Sequence, residues 1–293
     1  MIGKELKRAS SSKSGNITRK SDLEFTKIIL ILTAVLFLSI VLIFPLAVVF
    51  QTAFRDGFVK YIQSLLEPDT LAAVKVTLLA VVIAVPLNVL FGLAAAWSIT
   101  KFEFRGKRFI VSLIDIPFAV SPVISGMIFI LLFGSDSIIY PWLGANGIKI
   151  IFALPGIVIA TTFVTFPFVA RELIPVMQNQ GADQELAAMT LGASAFQTFM
   201  FVTLPNIRWG LFYGITLCTA RAVGEFGAVS VVSGHIRGET NTLPLHVEVL
   251  YNEYHFSAAF AVATLLVLVA FITLGGKAIT EYMEKRKKHG KVF

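Results

Sequence analysis

Six stretches of this chain are long, apolar and nearly empty of charge: about 28–50, 71–98, 109–133, 151–171, 209–233 and 256–276. A hydrocarbon core about 30 Å thick takes roughly 20 helical residues to cross, and each stretch is long enough. In lipid, every backbone amide must be paired within its own helix or within a closed barrel. The two-residue alternation of barrel strands is absent, so the pattern predicts an all-α integral membrane protein with about six transmembrane helices. The first stretch exceeds the roughly 7–15 apolar residues of a signal peptide and lacks a small-residue cleavage site. It is expected to be a retained helix. Composition agrees: 56% of the 293 residues are hydrophobic and only 15% are charged.

A net charge of +7 invites a nucleic-acid reading, so its distribution matters. Seven Lys and Arg residues lie in the segment 1–27, four in 99–108 and six after 276, while Arg171 and Arg208 flank the loop between the fourth and fifth stretches. The alternate loops hold only Arg55, Lys60, Lys149 and Arg237, and Lys75 and Arg221 fall within the spans. Cytoplasmic loops carry the basic excess, which places both termini in the cytoplasm and explains the charge as topology. The expected organisation is a basic, disordered tail over 1–27, a membrane domain over 28–276 with its core at about 71–276, and a basic tail over 277–293.

No catalytic constellation is visible. Cys218 is the single cysteine and has no neighbouring metal ligand. His235, His246, His255 and His289 lie outside the spans, and none belongs to an H-E-x-x-H helix. GGKAIT at 275–280 lacks the first glycine of a phosphate loop, because Phe271 stands there. The chain is therefore expected to be non-catalytic, with no metal and no cofactor of its own.

The spans do carry punctuation. Pro86, Pro117, Pro122, Pro155 and Pro167 lie within them, and Ser121 and Ser125 flank Pro122. Each internal proline frees a carbonyl, which fits either packing kinks or a broken helix lining a polar path. In TARAVGEFGAVSVVSG (219–234), Arg221 and Glu225 stand four residues apart on one helical face, among small residues that suit close packing. They can simply neutralise each other. Together with Ser121 and Pro122 they are also candidates for a translocation path. Asp115 has no partner identifiable from the sequence.

The segment ELAAMTLGASAFQTFMFVTLPNIR (185–208) is different in kind. Asp183 is a plausible N-cap for a short helix that ends at Gly192, where a left-handed residue is expected. Ser194 and Gln197 form the spacing of a capping box for a second helix, with Phe196, Phe199 and Met200 on one face and Pro205 as its stop. The reading is a small-residue docking insert over 181–206, facing the cytoplasm.

This insert resembles the E-A-A-x-x-x-G-x9-I-x-L-P signature of importer-type ABC transporter permeases. Leu186-Ala187-Ala188, Gly192 and Val202-Thr203-Leu204-Pro205 keep its spacing, with Leu186 in place of the signature's Glu and Glu185 one position earlier. The stretches DIPFAVSPVISG, TFPFVARELIPVM, ARAVGEFGAVSVVSG and IRGETNTLPLHVE further resemble the W-type permease subunits of sulfate/thiosulfate importers. The resemblance implies the type I importer permease fold and an inner or plasma membrane location. It also implies ATPase coupling through Glu185, Leu186, Ala187, Ala188, Gly192 and Pro205. Implied partners are a cytoplasmic ABC ATPase dimer that binds the ATP, a second, T-type permease, an extracytoplasmic sulfate/thiosulfate-binding protein and the bilayer. Nucleic acid is not among them. A permease for another oxyanion such as molybdate shares the fold, and a secondary transporter would share only the spans.

Overall fold

The computed structural model describes the backbone of residues 26–289 and the side chains of 26–279. The basic segment 1–25 and the last four residues lie outside the described residues. The chain divides into two compact units, 1–52 and 53–293.

The first unit contributes all but the last residue of α1 (Thr26–Ala53), a 28-residue, strongly apolar helix. A turn of π-helix at Ser39–Ile43 sits just ahead of Pro45. A proline cannot donate to the carbonyl one turn back, and a widened turn absorbs the mismatch without breaking the rod.

The second unit is helical throughout its regular structure, with no strand among the described residues. In order come α2 (Phe58–Leu66), α3 (Pro68–Lys101), α4 (Lys107–Ala119), α5 (Pro122–Phe133), α6 (Tyr140–Ala145) and α7 (Leu154–Gln180). Then follow α8 (Asp183–Thr190), α9 (Ala195–Thr198), α10 (Leu204–Val223), α11 (Gly227–Val232), α12 (Leu243–Asn252) and α13 (Phe256–His289). Four helices among the described residues are long and apolar enough to span alone: α1, α3, α7 and α13 over Phe256–Ile279. α4 and α5 are long and apolar enough only as a pair, bent by 106° between Ala119 and Pro122, which is the geometry of a broken span or a re-entrant loop. The stretch expected as a span at 209–233 is α10, a bend at Gly224 and the short α11. Asn206, Arg208 and Arg221 make α10 less apolar than the long spanning helices.

Most prolines leave their helices intact. Pro86, Pro117 and Pro167 lie inside α3, α4 and α7, and Pro155 occupies the first turn of α7, where no amide is missed. Only Pro122 coincides with a break. The residue before a proline avoids helical geometry, and Ser121 is extended with ψ 133°.

The core forms where α3 crosses α7. Gly92 allows the approach: a β-carbon there would lie 2.9 Å from Cβ of Val169. Polar groups tie the same region together. The Asn88 amide of α3 donates to Thr165 Oγ1 at 2.7 Å in α7 and to Cys218 Sγ at 3.5 Å in α10. Cys218 is thus a buried packing residue. Val76, Ala80, Ile157, Val164, Val229 and Leu245 fill a second part of the core, which places α11 and α12 against α3 and α7.

Candidate functional site

α7 ends at Gly181 with φ 72°, and the insert begins immediately. The cap position of α8 belongs to Ala182 with no side-chain bond, so Asp183 is not the expected N-cap. Asp183 and Glu185 instead fill the first turn, where carboxylates favour the helix dipole. α8 closes as a full Schellman motif: the amide of Gly192 donates to Met189 at 3.0 Å and that of Ala193 to Ala188 at 3.1 Å. Gly192 carries φ 90°, the left-handed geometry expected of it.

The expected capping box is present: the Gln197 amide N–H donates to Ser194 Oγ and the Ser194 amide to Gln197 Oε1. Pro205, however, does not stop this helix. α9 passes through a π turn at Phe199–Thr203 straight into α10, with Pro205 in the first turn of α10. The device is the same as that ahead of Pro45. The insert is therefore one short helix and the leading end of a long one.

Its surface divides sharply. Leu186, Ala187, Met189, Leu191, Gly192, Phe196, Phe201 and Pro205 are exposed, Leu191 at 89%, and Ala188 is half-buried. Glu185 points the other way and is 7% exposed. Its Oε2 pairs with Lys101 Nζ at 2.8 Å, and its Oε1 accepts from Thr203 Oγ1 at 2.6 Å. Its carboxylate is thus committed within the chain and does not reach the insert's outer surface. A single step of about 100° around the helix separates it from Leu186 on the exposed side.

The four path candidates lie at the two breaks, Ser121 and Pro122 at one and Arg221 and Glu225 at the other, and the two breaks pack together. A β-carbon on Gly227 would lie 2.8 Å from Cβ of Pro122, and one on Gly126 would lie 2.7 Å from the Ala228 carbonyl oxygen. The start of α11 is pressed against the start of α5. Arg221 pairs with Glu225 at 2.6 Å across the end of α10, and Glu225 Oε1 accepts the Ala228 amide of α11 at 2.9 Å. Glu225 is buried, Arg221 is one-third exposed, and Ser121 is exposed beside Pro122. Ser125 turns back on its own helix, donating to the Ser121 carbonyl at 3.2 Å.

Sequence reasoning missed three partnerships. Asp115 of α4 is held by Arg171 of α7, with two contacts of 2.6 Å. Sequence alone reads Lys101 only as topology and Thr203 only as a spacer inside the signature, whereas both bind Glu185. Opposite charge in neighbouring spans was the one available signal, and it applied only to Asp115 and Arg171.

Residues 88–289 match the family described as binding-protein-dependent transport system inner membrane component. The chain belongs to this family. Among its relatives are the sulfate transport system permease protein CysW of Escherichia coli, 47% identical over 85% of this chain and 86% of the relative. CysW of Synechococcus elongatus is 49% identical over 85% and 87% respectively. The permease protein CysT of Escherichia coli is 34% identical over 83% and 87%. A solved bacterial alginate ABC transporter, in complex with its alginate pentasaccharide-bound periplasmic protein, superposes at TM-score 0.73 with 15% identity, covering 87% of this chain and 93% of its own. The fold is that of a type I ABC importer permease. As a member of this family, the chain is a non-catalytic, multi-pass subunit of the inner membrane.

Proposed function

We propose that the chain is a permease subunit of an ATP-driven sulfate/thiosulfate importer, forming half of the pore and coupling it to the ATPase. The substrate follows from relatives named as sulfate permeases across most of the chain. The T-type relative, similar but separate, is the kind of subunit that completes the pore. A cytoplasmic ATPase pair supplies ATP hydrolysis, and an extracytoplasmic binding protein delivers the anion.

One observation carries the coupling role: the insert presents an apolar, small-residue tip outward while the carboxylate of Glu185 is anchored inward. Leu186, Ala187, Gly192 and Pro205 offer the contact surface, Ala188 supports it, and Glu185 fixes it from behind. Small residues let another backbone approach closely, and the exposed side chains give it apolar area to bury. At the far end, the junction of α5 and α11 beside Ser121, Pro122, Arg221 and Glu225 is the moving wall. Broken helices at a packed interface permit rigid-body gating.

The test is labelled-sulfate uptake in cells lacking only their own W-type subunit, with this chain supplied and molybdate as competitor. Restored uptake that stops on ATP depletion and ignores excess molybdate is the expected result. Restored uptake abolished by molybdate would reassign the substrate to another oxyanion. Uptake that persists without ATP and stops when the proton or sodium gradient is collapsed would replace the importer with a secondary transporter.

A further inference from the structure

The contacts of Lys101 suggest more than topology. It is the last residue of α3, the 34-residue helix that packs along α7 and also against α10 and α12. Its Nζ donates to the Gly181 carbonyl at 2.7 Å and pairs with Glu185 at 2.8 Å. The side chains of Lys101 and Glu185 are only 11% and 9% exposed. Thr203, in the π turn that feeds α10, donates to the other oxygen of the same carboxylate and is itself buried. Four elements therefore meet at one ion pair: the end of α3, the α7–α8 turn, α8, and the root of α10. α8 otherwise packs chiefly on α9 and the π turn, which belong to the insert itself.

A buried ion pair is weak evidence for stability, because desolvating both charges offsets much of their attraction. Its stronger property is geometric: neither partner can move far without leaving a charge unpaired in a dry site. We propose that the Lys101–Glu185–Thr203 cluster is the internal clasp through which displacement of the insert is passed to α3 as well as to α10. Glu185 is then a positioning residue that acts through Lys101. This rests on the importer reading above, although the clasp itself requires only that an ATPase moves the insert.

The experiment uses the reconstituted complex with its ATPase, T-type permease and binding protein, comparing wild type with Glu185→Gln. Two readouts are taken: sulfate imported per ATP hydrolysed, and hydrogen exchange along α3 before and after trapping with ATP and vanadate. Energetic coupling between distant sites is commonly altered by amounts equivalent to about tenfold, so the transport-to-hydrolysis ratio should fall about tenfold. ATP-driven exchange changes should persist in α8 and vanish in α3. A Thr203→Val variant, which keeps the ion pair and loses one hydrogen bond, should show the same pattern more weakly and covers the case in which Glu185→Gln assembles poorly. The paired change Lys101→Met with Glu185→Leu leaves no orphan charge and should still uncouple.

The clasp is refuted if import and hydrolysis fall in proportion and α3 responds as in wild type, since that is what a purely structural role gives. It is also refuted if Glu185→Gln releases the ATPase, which would make Glu185 a direct contact. A wild-type complex that hydrolyses ATP without importing sulfate would sink the substrate reading instead. The exchange readout on α3 would then still decide the clasp.

Discussion

Gly192 shows how much one residue can be asked to do. Its φ of 90° excludes easy replacement, yet a β-carbon there would meet nothing within 4 Å. Gly192→Ala should therefore cost only backbone strain, about 1–2 kcal/mol, and lower uptake modestly. Gly192→Trp adds bulk to the exposed tip and should abolish uptake while the protein remains in the membrane. Normal uptake by the Trp variant, measured beside its membrane content, would remove the docking role from this turn. A second residue-scale case lies in α12. His246 is buried, with Nε2 within 3.1 Å of Thr70 Oγ1. Burial lowers its pKa, with Arg237 adding to that, while Glu67, Asp69 and Glu253 oppose it. The unfolded chain takes up a proton near pH 6.5 that the folded chain refuses. Stability should thus fall as pH drops from about 6.5 towards the depressed folded value, then level off. Melting curves of solubilised protein between pH 8 and 5 should slope more steeply for wild type than for His246→Asn. Equal slopes would acquit His246.

At the scale of elements, the decisive contact is between two helix starts. α5 begins after a 106° bend, α11 begins after the break at Gly224, and Gly227 seats directly against Pro122. Gly224 and Gly227 are three residues apart but face different surroundings. A β-carbon on Gly227 would come within 2.8 Å of Pro122 Cβ, whereas on Gly224 the nearest atom would be the Ala220 carbonyl oxygen at 3.7 Å. Gly227→Ala should destabilise by about 1–3 kcal/mol through overpacking, with Gly224→Ala close to neutral. Thermal unfolding in detergent separates them, and similar losses for both would mean that the α5–α11 junction is not tightly packed. The prolines could not be ranked from sequence for the same reason. Pro86 and Pro167 lie in helices that continue through them, while Pro122 follows an extended serine and meets a glycine more than 100 residues away.

For the whole molecule the question is energy. Moving a dianion into a cell that is negative inside costs about 4.6 kcal/mol per 100 mV, twice the single-charge figure, before any dehydration. In the proposed importer the partner ATPase meets that cost, so uptake in the complementation assay should stop when ATP is depleted and not when the potential is collapsed. In the proposed importer the route from ATPase to path would begin at the apolar tip around Leu186 and Leu191, and the buried carboxylate of Glu185 would divide it between α3 and α10. It ends where α10 breaks at Gly224, beside Arg221 and Glu225.

What was legible in the chain alone was local or periodic. Apolar length predicted helices, the side bearing Lys and Arg predicted orientation, and the spacing from Leu186 to Pro205 predicted the insert, its glycine cap and its capping box. These depend on residues a few positions apart, whose physics the sequence contains in full. Which way Glu185 faces, what neutralises Asp115, and which proline breaks a span are decided by groups brought in from elsewhere. Lys101 lies on the far side of α4 to α7 from Glu185, and Arg171 lies three helices on from Asp115. A buried charge takes whichever opposite charge packing places beside it, and only the tertiary structure settles which one that is.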